Sequence, residues 1–126
     1  MVHMQGIEAI SIQAPTNTTA ATTSGYVDLQ AIGNNHGNSN IAFLLAVSPG
    51  TTAGTAGGSI VAASDTAGTG VATVATFSGT TSAGGYELAY ANLNPSQRYV
   101  AIVATVQGTK DMNVGALVLA PARHRP

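Results

Sequence analysis

Apolar and polar residues alternate along most of this chain with a period of two, which is the period of a β-strand. In 99–106, for example, Val100, Ile102, Ala104 and Val106 share one face, and that face is apolar throughout. No window of eleven residues carries the apolar stripe of an amphipathic helix without a glycine in it. Gly, Asn, Ser and Pro separate the apolar runs at fairly even spacing. The pattern predicts eight strands, at 6–13, 25–32, 41–48, 59–65, 70–78, 85–92, 99–106 and 114–120.

Three stretches carry more specific expectations. The run 41–48 is continuously apolar, which is typical of a central strand buried on both faces. The Thr/Ala stretch 16–24 predicts a loop or extended arm, after a first strand that ends at Ala14 and Pro15. The runs 99–106 and 114–120 flank a short polar turn and predict a closing hairpin. Together the pattern predicts an all-β chain, folded as a single eight-stranded antiparallel β-sandwich of jelly-roll type.

The composition is that of a folded protein that associates. The 126 residues are expected to form one domain, 1–126, with residues 1–5 flexible or a cloning remnant. Disordered chains combine low hydrophobicity with high net charge, whereas this chain is 44% apolar with a net charge of −1. Charged residues make up only 7%, so little repulsion keeps copies apart and association is expected. The apolar runs are far shorter than the roughly 20 residues of a membrane helix, so we expect no membrane partner.

The few charges are distributed unevenly. Residues 98–126 contain every basic side chain and one acid, for a formal charge of +3, whereas residues 1–97 sum to −4. The basic tail 121–126 ends in Arg123, His124, Arg125 and Pro126, and arginine is well suited to bidentate pairing with carboxylates. A basic end on a charge-poor protein predicts docking on an acidic partner, although a solvated, fraying terminus is the alternative. This asymmetry indicates contacts rather than catalysis.

Candidate catalytic and ligand-binding residues are sparse. Of the three histidines, His3 and His124 lie near a terminus. His36 has no nearby carboxylate, which an oriented Ser-His-Asp relay would need, and the acids are scattered singly. The Asn-rich loop 33–40 has none of the carboxylates from which calcium loops draw affinity. The Gly-rich pieces 54–58 and 79–85 lack the lysine of a phosphate loop. Four basic residues and a pI of about 6.2 argue against nucleic acid. We therefore predict no catalytic residue, cofactor, metal or nucleic-acid site.

One part of the chain resembles a known group of proteins. Arg98-Tyr99-Val100, the strand that leads to Gly108-Thr109, the apolar strand after it and the closing Arg123-His124-Arg125-Pro126 look like small tailed-bacteriophage proteins encoded among the head genes, near the major capsid protein. The resemblance is tight over the last thirty residues and looser at Val27-Asp28-Leu29 and Ser64-Asp65. These proteins resemble capsid decoration, or cement, proteins. The resemblance implies a β-rich, often trimeric protein on the outside of the shell, where it clamps neighbouring capsid subunits.

The sequence thus predicts a non-enzymatic virion protein that binds the major capsid protein and stabilises its contacts, as a homo-oligomer with a trimer favoured. It would be made in the host cytoplasm and end on the capsid surface. Arg98, Tyr99, Arg123, His124 and Arg125 are the expected partner contacts, with Tyr99 as an anchor. The alternatives are a head–tail connector or tail component, a carbohydrate- or host-binding β-module, and an enzyme. A sugar-binding module needs an exposed aromatic platform, and four tyrosines without a tryptophan give little support for one.

Overall fold

Period-two alternation is realised as nine β-strands in the computed structural model, which describes residues 7–18, 22–29, 41–49, 55–80, 84–93, 97–106 and 111–121. Between the strands at 56–63 and 72–80, for example, Gly68 and Gly70 lie in a tight turn, as turn-forming residues should. The strands are β1 (Ile7–Thr18), β2 (Thr22–Thr23), β3 (Val27–Asp28), β4 (Ile41–Pro49), β5 (Ala56–Ala63), β6 (Ala72–Thr80), β7 (Gly85–Ala91), β8 (Tyr99–Val106) and β9 (Met112–Pro121).

The strands form two antiparallel sheets that pack face to face. The first has the order β1-β9-β4-β7 and the second β2-β8-β5-β6, with β3 also paired to β8. β2 and β3 both pair with β8, one after the other, so they act as one interrupted edge strand. Counted in this way, the two described sheets contain eight strands. In that count the first strand pairs with the last, the second with the seventh, the third with the sixth and the fourth with the fifth. This is the rolled-up order of a jelly roll, and it confirms the predicted eight-stranded antiparallel sandwich.

The interruption between β2 and β3 is held together by one serine. The backbone N–H of Ser24 donates to the carbonyl of Ile102 at 2.9 Å, and the Ser24 hydroxyl accepts from the N–H of Ile102 at 3.0 Å. A side-chain oxygen therefore takes a place in the hydrogen-bond ladder that a backbone carbonyl would otherwise fill. The prediction of a loop or arm over 16–24 is wrong at both ends, since β1 continues to Thr18 and β2 pairs with β8.

A bulge lets β1 continue past Pro15. The pairing with β9 shifts register between Gln13 and Thr16, which lie opposite Ala116 and Val114. Pro15 is thus left out of the ladder, and a proline without an N–H is tolerated at such a bulge on an edge strand. For this reason the strand does not end at Ala14 and Pro15 as the sequence predicted.

The predicted closing hairpin of 99–106 and 114–120 is also wrong. β8 pairs with β5, β2 and β3 in one sheet, while β9 pairs with β1 and β4 in the other. β8 and β9 each have one apolar face. Because the chain crosses from the second sheet to the first between them, both apolar faces point into the core between the two sheets.

The core lies between the two inner faces. In β8, Val100, Ile102, Ala104 and Val106 are all buried, as the alternation predicted. β4 is interior to its sheet, as expected, but the expectation that both its faces are buried is wrong. Ile41, Phe43, Leu45 and Val47 are buried, whereas the opposite face is half-buried at Ala42 and Leu44 and exposed at Ala46 and Ser48. The first sheet therefore carries an outer face that is apolar but open.

Gly58 marks the tightest backbone approach within the second sheet. It has a φ of +151° and lies opposite Ala104, and a Cβ placed on it would overlap the carbonyl oxygen of Val103. A side chain there must therefore both strain the backbone and push β5 away from β8.

We expect Gly58→Ala to lower the free energy of unfolding by about 2–6 kcal/mol, since it adds backbone strain to steric overlap. Gly25→Ala is the matched control, because a Cβ at Gly25 meets no atom within 4 Å. Urea denaturation of both variants measures the difference. Equal stability of the two variants would contradict the packing described here.

Candidate binding surfaces

One end of the sandwich gathers the predicted contact residues Arg98 and Tyr99. β3 pairs Asp28 with Tyr99, and this register places the Asp28 carboxylate beside the Arg98 guanidinium. Arg98 Nε donates to Asp28 Oδ1 at 2.7 Å and Nη2 donates to Oδ2 at 2.5 Å, which is a bidentate pair. The guanidinium carbon also lies 5.1 Å from the centroid of the Tyr99 ring. Arg98 therefore has a carboxylate and an aromatic partner within its own chain.

This arrangement fixes the charge and direction of the arginine. The hydrogen bonds that Arg98 donates to Asp28 raise the pKa of Arg98, although both side chains stay about one-third exposed, at 38% and 31%. An ion pair with that exposure contributes little to stability. Its consequence is orientation: the Arg98 guanidinium and the Tyr99 ring are held together on the surface.

The topology places the exit of β9 at the same end. β8 ends at Val106 and β9 begins at Met112, so these two points share one end of the sandwich. The start of β8, with Arg98, and the end of β9, at Pro121, consequently lie at the opposite end together. The remaining predicted contacts, Arg123, His124 and Arg125, lie outside the described residues. The structure thus brings Arg98 and Tyr99 together near the strand end from which the basic tail continues.

A second surface is the outer face of the first sheet, which sequence analysis did not single out. On β7, Tyr86, Leu88 and Tyr90 are 73%, 43% and 67% exposed. The register continues this face through β4 and β9 to β1. It also includes Ala42, Leu44, Ala46, Leu117, Leu119, Ala9 and Ser11 and, toward the start of β9, the polar residues Gln13, Ser48 and Asn113. None of these described side chains is charged. The signal was present in the Tyr-x-Leu-x-Tyr alternation of 86–90.

A shallow depression lies in the middle of this face. It is lined by Leu44, Ala46 and Leu117, with Ser11 and Gln13 at one side. Gly115, which pairs with Ala46, has no side chain to fill it. The lining is apolar, so the depression fits a side chain of a partner better than a charged ligand.

Glu87 closes the edge of the sandwich between β6 and β7. Its carboxylate accepts from the Ser78 N–H at 2.8 Å, the Ser78 hydroxyl at 3.0 Å and the Gly79 N–H at 3.1 Å. Ser78 and Gly79 both lie opposite Gly57 at a register shift between β5 and β6, and this bulge turns two successive N–H groups outward. These hydrogen bonds, led by the one from Ser78, lower the pKa of Glu87. The sole charged side chain of β7 is thereby directed away from the outer face.

Other chemistry is limited in the part of the chain that the structure describes. No three His, Cys, Asp or Glu side chains of the described residues cluster as a metal site would require. None of the described elements is a helix of the length and hydropathy that a membrane span requires. Asp65 accepts from the backbone of Ala67 and Thr69 in a tight turn, and hydrogen bonds led by those from Thr69 lower its pKa.

Comparison with known proteins gives likenesses of fold only. No protein-family model matches the chain, and no curated protein matches it in sequence. Among solved structures, the SPBc2 prophage-derived protein YomS superposes with a TM-score of 0.50 at 12% identity, over 95% of this chain and all of YomS. The VP2 protein of an infectious bursal disease virus subviral particle superposes with a TM-score of 0.58 at 12% identity. That match covers 93% of this chain but only 32% of VP2.

Known structures with this β-rich fold therefore include a prophage-derived protein and a protein of viral particles. A xylanase 10B chain of Clostridium thermocellum with CBM22-1 and GH10 modules reaches a TM-score of 0.44 at 13% identity, over 27% of its length. A score at that level does not support the carbohydrate-binding alternative.

The position of Glu87 predicts a pH dependence. A carboxylate whose pKa is lowered on folding stabilises the protein above its unfolded pKa, about 4.3, and this contribution is lost as the pH falls through the lower folded value. Glu87→Gln should therefore reduce stability at pH 7, by less than about 1 kcal/mol because the hydrogen-bonded carboxylate is still partly open to solvent. Thermal unfolding at pH 7 and pH 3 measures the effect.

The measurement at pH 3 is the control for the measurement at pH 7. At pH 3 the difference between wild type and Glu87→Gln should narrow, since protonation removes the charge from the wild-type side chain as well. Asp65 titrates equally in both proteins and cancels from the comparison. A difference that is the same at both pH values would show that the Glu87 charge has no role at this edge.

Proposed function

We propose that this protein is a non-enzymatic structural protein of a phage virion, which binds the outside of the capsid and stabilises contacts between major capsid proteins. The observation that carries the proposal is the end of the sandwich where Arg98, Tyr99 and the exit of β9 lie together. The residues that follow β9 in the sequence include the basic contacts Arg123, His124 and Arg125. In this proposal Tyr99 is the anchor, and the arginines pair with carboxylates of the capsid protein.

The charge pattern supports the tail as the docking element. Asp28 already accepts both hydrogen bonds that orient Arg98, so Arg98 offers the partner mainly a positioned planar group beside an aromatic ring. Lys110 falls between β8 and β9, toward the other end of the sandwich, so the positive charge that follows the exit of β9 is that of Arg123 and Arg125. A basic end steers association with an acidic surface and fixes its orientation.

The stabilising mechanism is surface burial. A specific interface of roughly 1,600 Å² supports stable binding when its centre is well packed. Copies arrayed on a symmetric shell add avidity if they are linked to each other. An open apolar sheet face and a chain with 7% charged residues suit a protein that works within such an assembly. The fold shared with a prophage-derived protein and with VP2 supports a viral setting.

The proposal predicts that Arg123→Glu with Arg125→Glu abolishes binding to shells assembled from the major capsid protein of the same phage. Reversing two charges replaces attraction by repulsion at the docking end. Co-sedimentation of purified protein with the shells measures binding, and circular dichroism checks that the variant is folded.

The control adds carboxylates elsewhere. Thr73→Glu with Thr76→Glu places two acids at exposed positions of β6, in the second sheet, and should leave binding unchanged. If the tail variant sediments with shells as wild type does, the tail is not the docking element. If wild type does not bind the shells, the capsid proposal itself fails.

The second candidate is a head–tail connector or tail component, a role with which the β-sandwich fold and the low content of charged residues are equally compatible. Such a protein forms rings in isolation, whereas the cement proposal expects a small homo-oligomer, with a trimer implied by the resemblance. Light scattering coupled to size exclusion distinguishes the two. A ring of many copies would move the proposal from the shell to the connector.

A further inference from the structure

The strand β7 gathers most of the exposed apolar bulk of the described structure. Four large hydrophobic side chains of the described residues are exposed, and Tyr86, Leu88 and Tyr90 are three of them, the fourth being Val71. They alternate along β7 and therefore form one row on the outer face of the first sheet. A row of this kind is uncommon on a surface that faces only water.

The same strand is the edge of its sheet. Among the described strands, β7 pairs with β4 on one side and is last in the order β1-β9-β4-β7. Edge strands are usually protected by outward charges, proline or bulges, since an open ladder pairs with other chains. β7 has no proline, and its Glu87 is bonded to Ser78 and Gly79 of β6. The edge is thus bordered by an uncharged row of two tyrosines and a leucine.

We infer that β7 pairs antiparallel with β7 of a second copy of this chain, about a two-fold axis through Leu88. The spacing of the row is symmetric, with Tyr86 two residues before Leu88 and Tyr90 two residues after it. In the register centred on Leu88, Leu88 meets Leu88 of the second copy. Tyr86 and Tyr90 then lie opposite each other twice, once on each side of the axis. Such aromatic pairs stabilise an antiparallel ladder.

The charges are compatible with this register. Glu87 lies opposite Ala89 of the second copy, so the two Glu87 carboxylates are not directly across from each other. Each is already satisfied within its own chain by the bulge of β6. Near β7, the described outer face is formed by Tyr86, Leu88, Tyr90 and the neighbouring strand residues Ala42, Leu44 and Ala46, and none of these is a charged side chain that would lose water without gaining a partner. An uncharged face is complementary to a second copy of itself.

The area involved sets the expected strength. A tyrosine side chain buries about 150–250 Å². At 73% and 67% exposure, the four tyrosines of two copies offer roughly 400–700 Å². Edge pairing covers part of this, together with Leu88 and the strand backbones. The interface therefore lies near the lower limit of about 1,000 Å² for a specific contact. We expect a dimer that dissociates on dilution.

This contact does not rest on the proposed capsid role. It generates pairs of copies, and it would join trimers in pairs if a trimer forms through another surface. Cross-linking at the axis tests the contact directly, whereas co-sedimentation with shells tests the function. Either can fail without the other.

The chain has no cysteine, which makes Leu88→Cys a clean probe of the axis. Residues opposite each other in an antiparallel pair have Cα atoms about 4.5–5.5 Å apart, within the range of about 4.4–6.8 Å that a disulfide spans. Under mild oxidation, Leu88→Cys should form covalent dimers on the order of tenfold faster than two control variants, because pairing raises the local concentration of the partner thiol. Non-reducing gel electrophoresis follows the dimer band.

The two controls have different purposes. Leu44→Cys lies on the same face and pairs with Leu88 in the ladder, but one strand inward from the edge. Val71→Cys is 52% exposed and reports random collision. Faster linking at 88 than at both supports edge pairing. If Leu88→Cys forms covalent dimers no faster than Val71→Cys, the edge-pairing proposal is overturned. If Leu44→Cys forms them faster than Leu88→Cys, the proposal is also overturned, in favour of a contact between stacked outer faces.

A charge-pair experiment tests the register. In the proposed register, Tyr86→Lys with Tyr90→Glu sets each new lysine opposite a new glutamate, and the dimer should persist. Tyr86→Lys with Tyr90→Lys sets lysines opposite lysines, and the dimer should dissociate at much higher concentration. Sedimentation velocity at low salt measures both. Equal dissociation of the two variants overturns the register, since residue 86 would then not face residue 90.

Discussion

The fold depends on the docking of the last strand, β9, into the middle of the first sheet. β9 pairs with β1 on one side and β4 on the other. Its pairing with β1 sets Ile7 opposite Pro121, so residues near the two ends of the sequence become neighbours. Met112, Val114, Ala116 and Val118 are buried there against the second sheet. Without β9, β1 has no partner among the described strands and β4 loses one of two. The first sheet therefore cannot be completed until almost the entire chain is available, and such non-local pairing slows folding.

The position of β9 also connects the fold to the proposed docking end. The basic tail continues from a strand that is hydrogen-bonded on both sides, so a pull on the tail is resisted by two ladders at once. A tail attached to an edge strand such as β1 or β7 would load one ladder only. For a protein proposed to hold shell subunits together, anchoring at a central strand is the mechanically stronger arrangement. The Arg98 and Tyr99 pair lies on the neighbouring sheet at the same end, which widens the anchored region.

Local patterning was sufficient to predict the strands, but not their partners. The alternation of 99–106 identified β8 and its core face correctly, because a period of two constrains which side chains share a face. It could not distinguish a hairpin from a crossing between sheets, since both give the same alternation in β8 and β9. The pair of Asp28 with Arg98 spans 70 residues and has no local signature. Glu87 likewise looked like a polar position on an apolar strand, and its partners appear only when the bulge of β6 is placed beside it. The continuation of β1 past Pro15 required knowing that β1 is an edge strand.

The two proposed contacts use different parts of the sandwich and therefore do not compete. The docking end lies at the strand termini, with Arg98 before β8 and Pro121 at the end of β9. Leu88 is midway along β7, at the lateral edge of the first sheet, where it pairs with Leu44 in the centre of β4. A copy bound through its end would keep its β7 edge available for a neighbour. Each weak edge contact would then become an intramolecular event between docked copies, at an effective concentration set by the shell rather than by the solution. This coupling explains why a dimer contact near the lower limit of specific interfaces is sufficient. A stronger edge would link copies in solution before they reached the shell, whereas a weak one lets single copies dock first and pair afterwards.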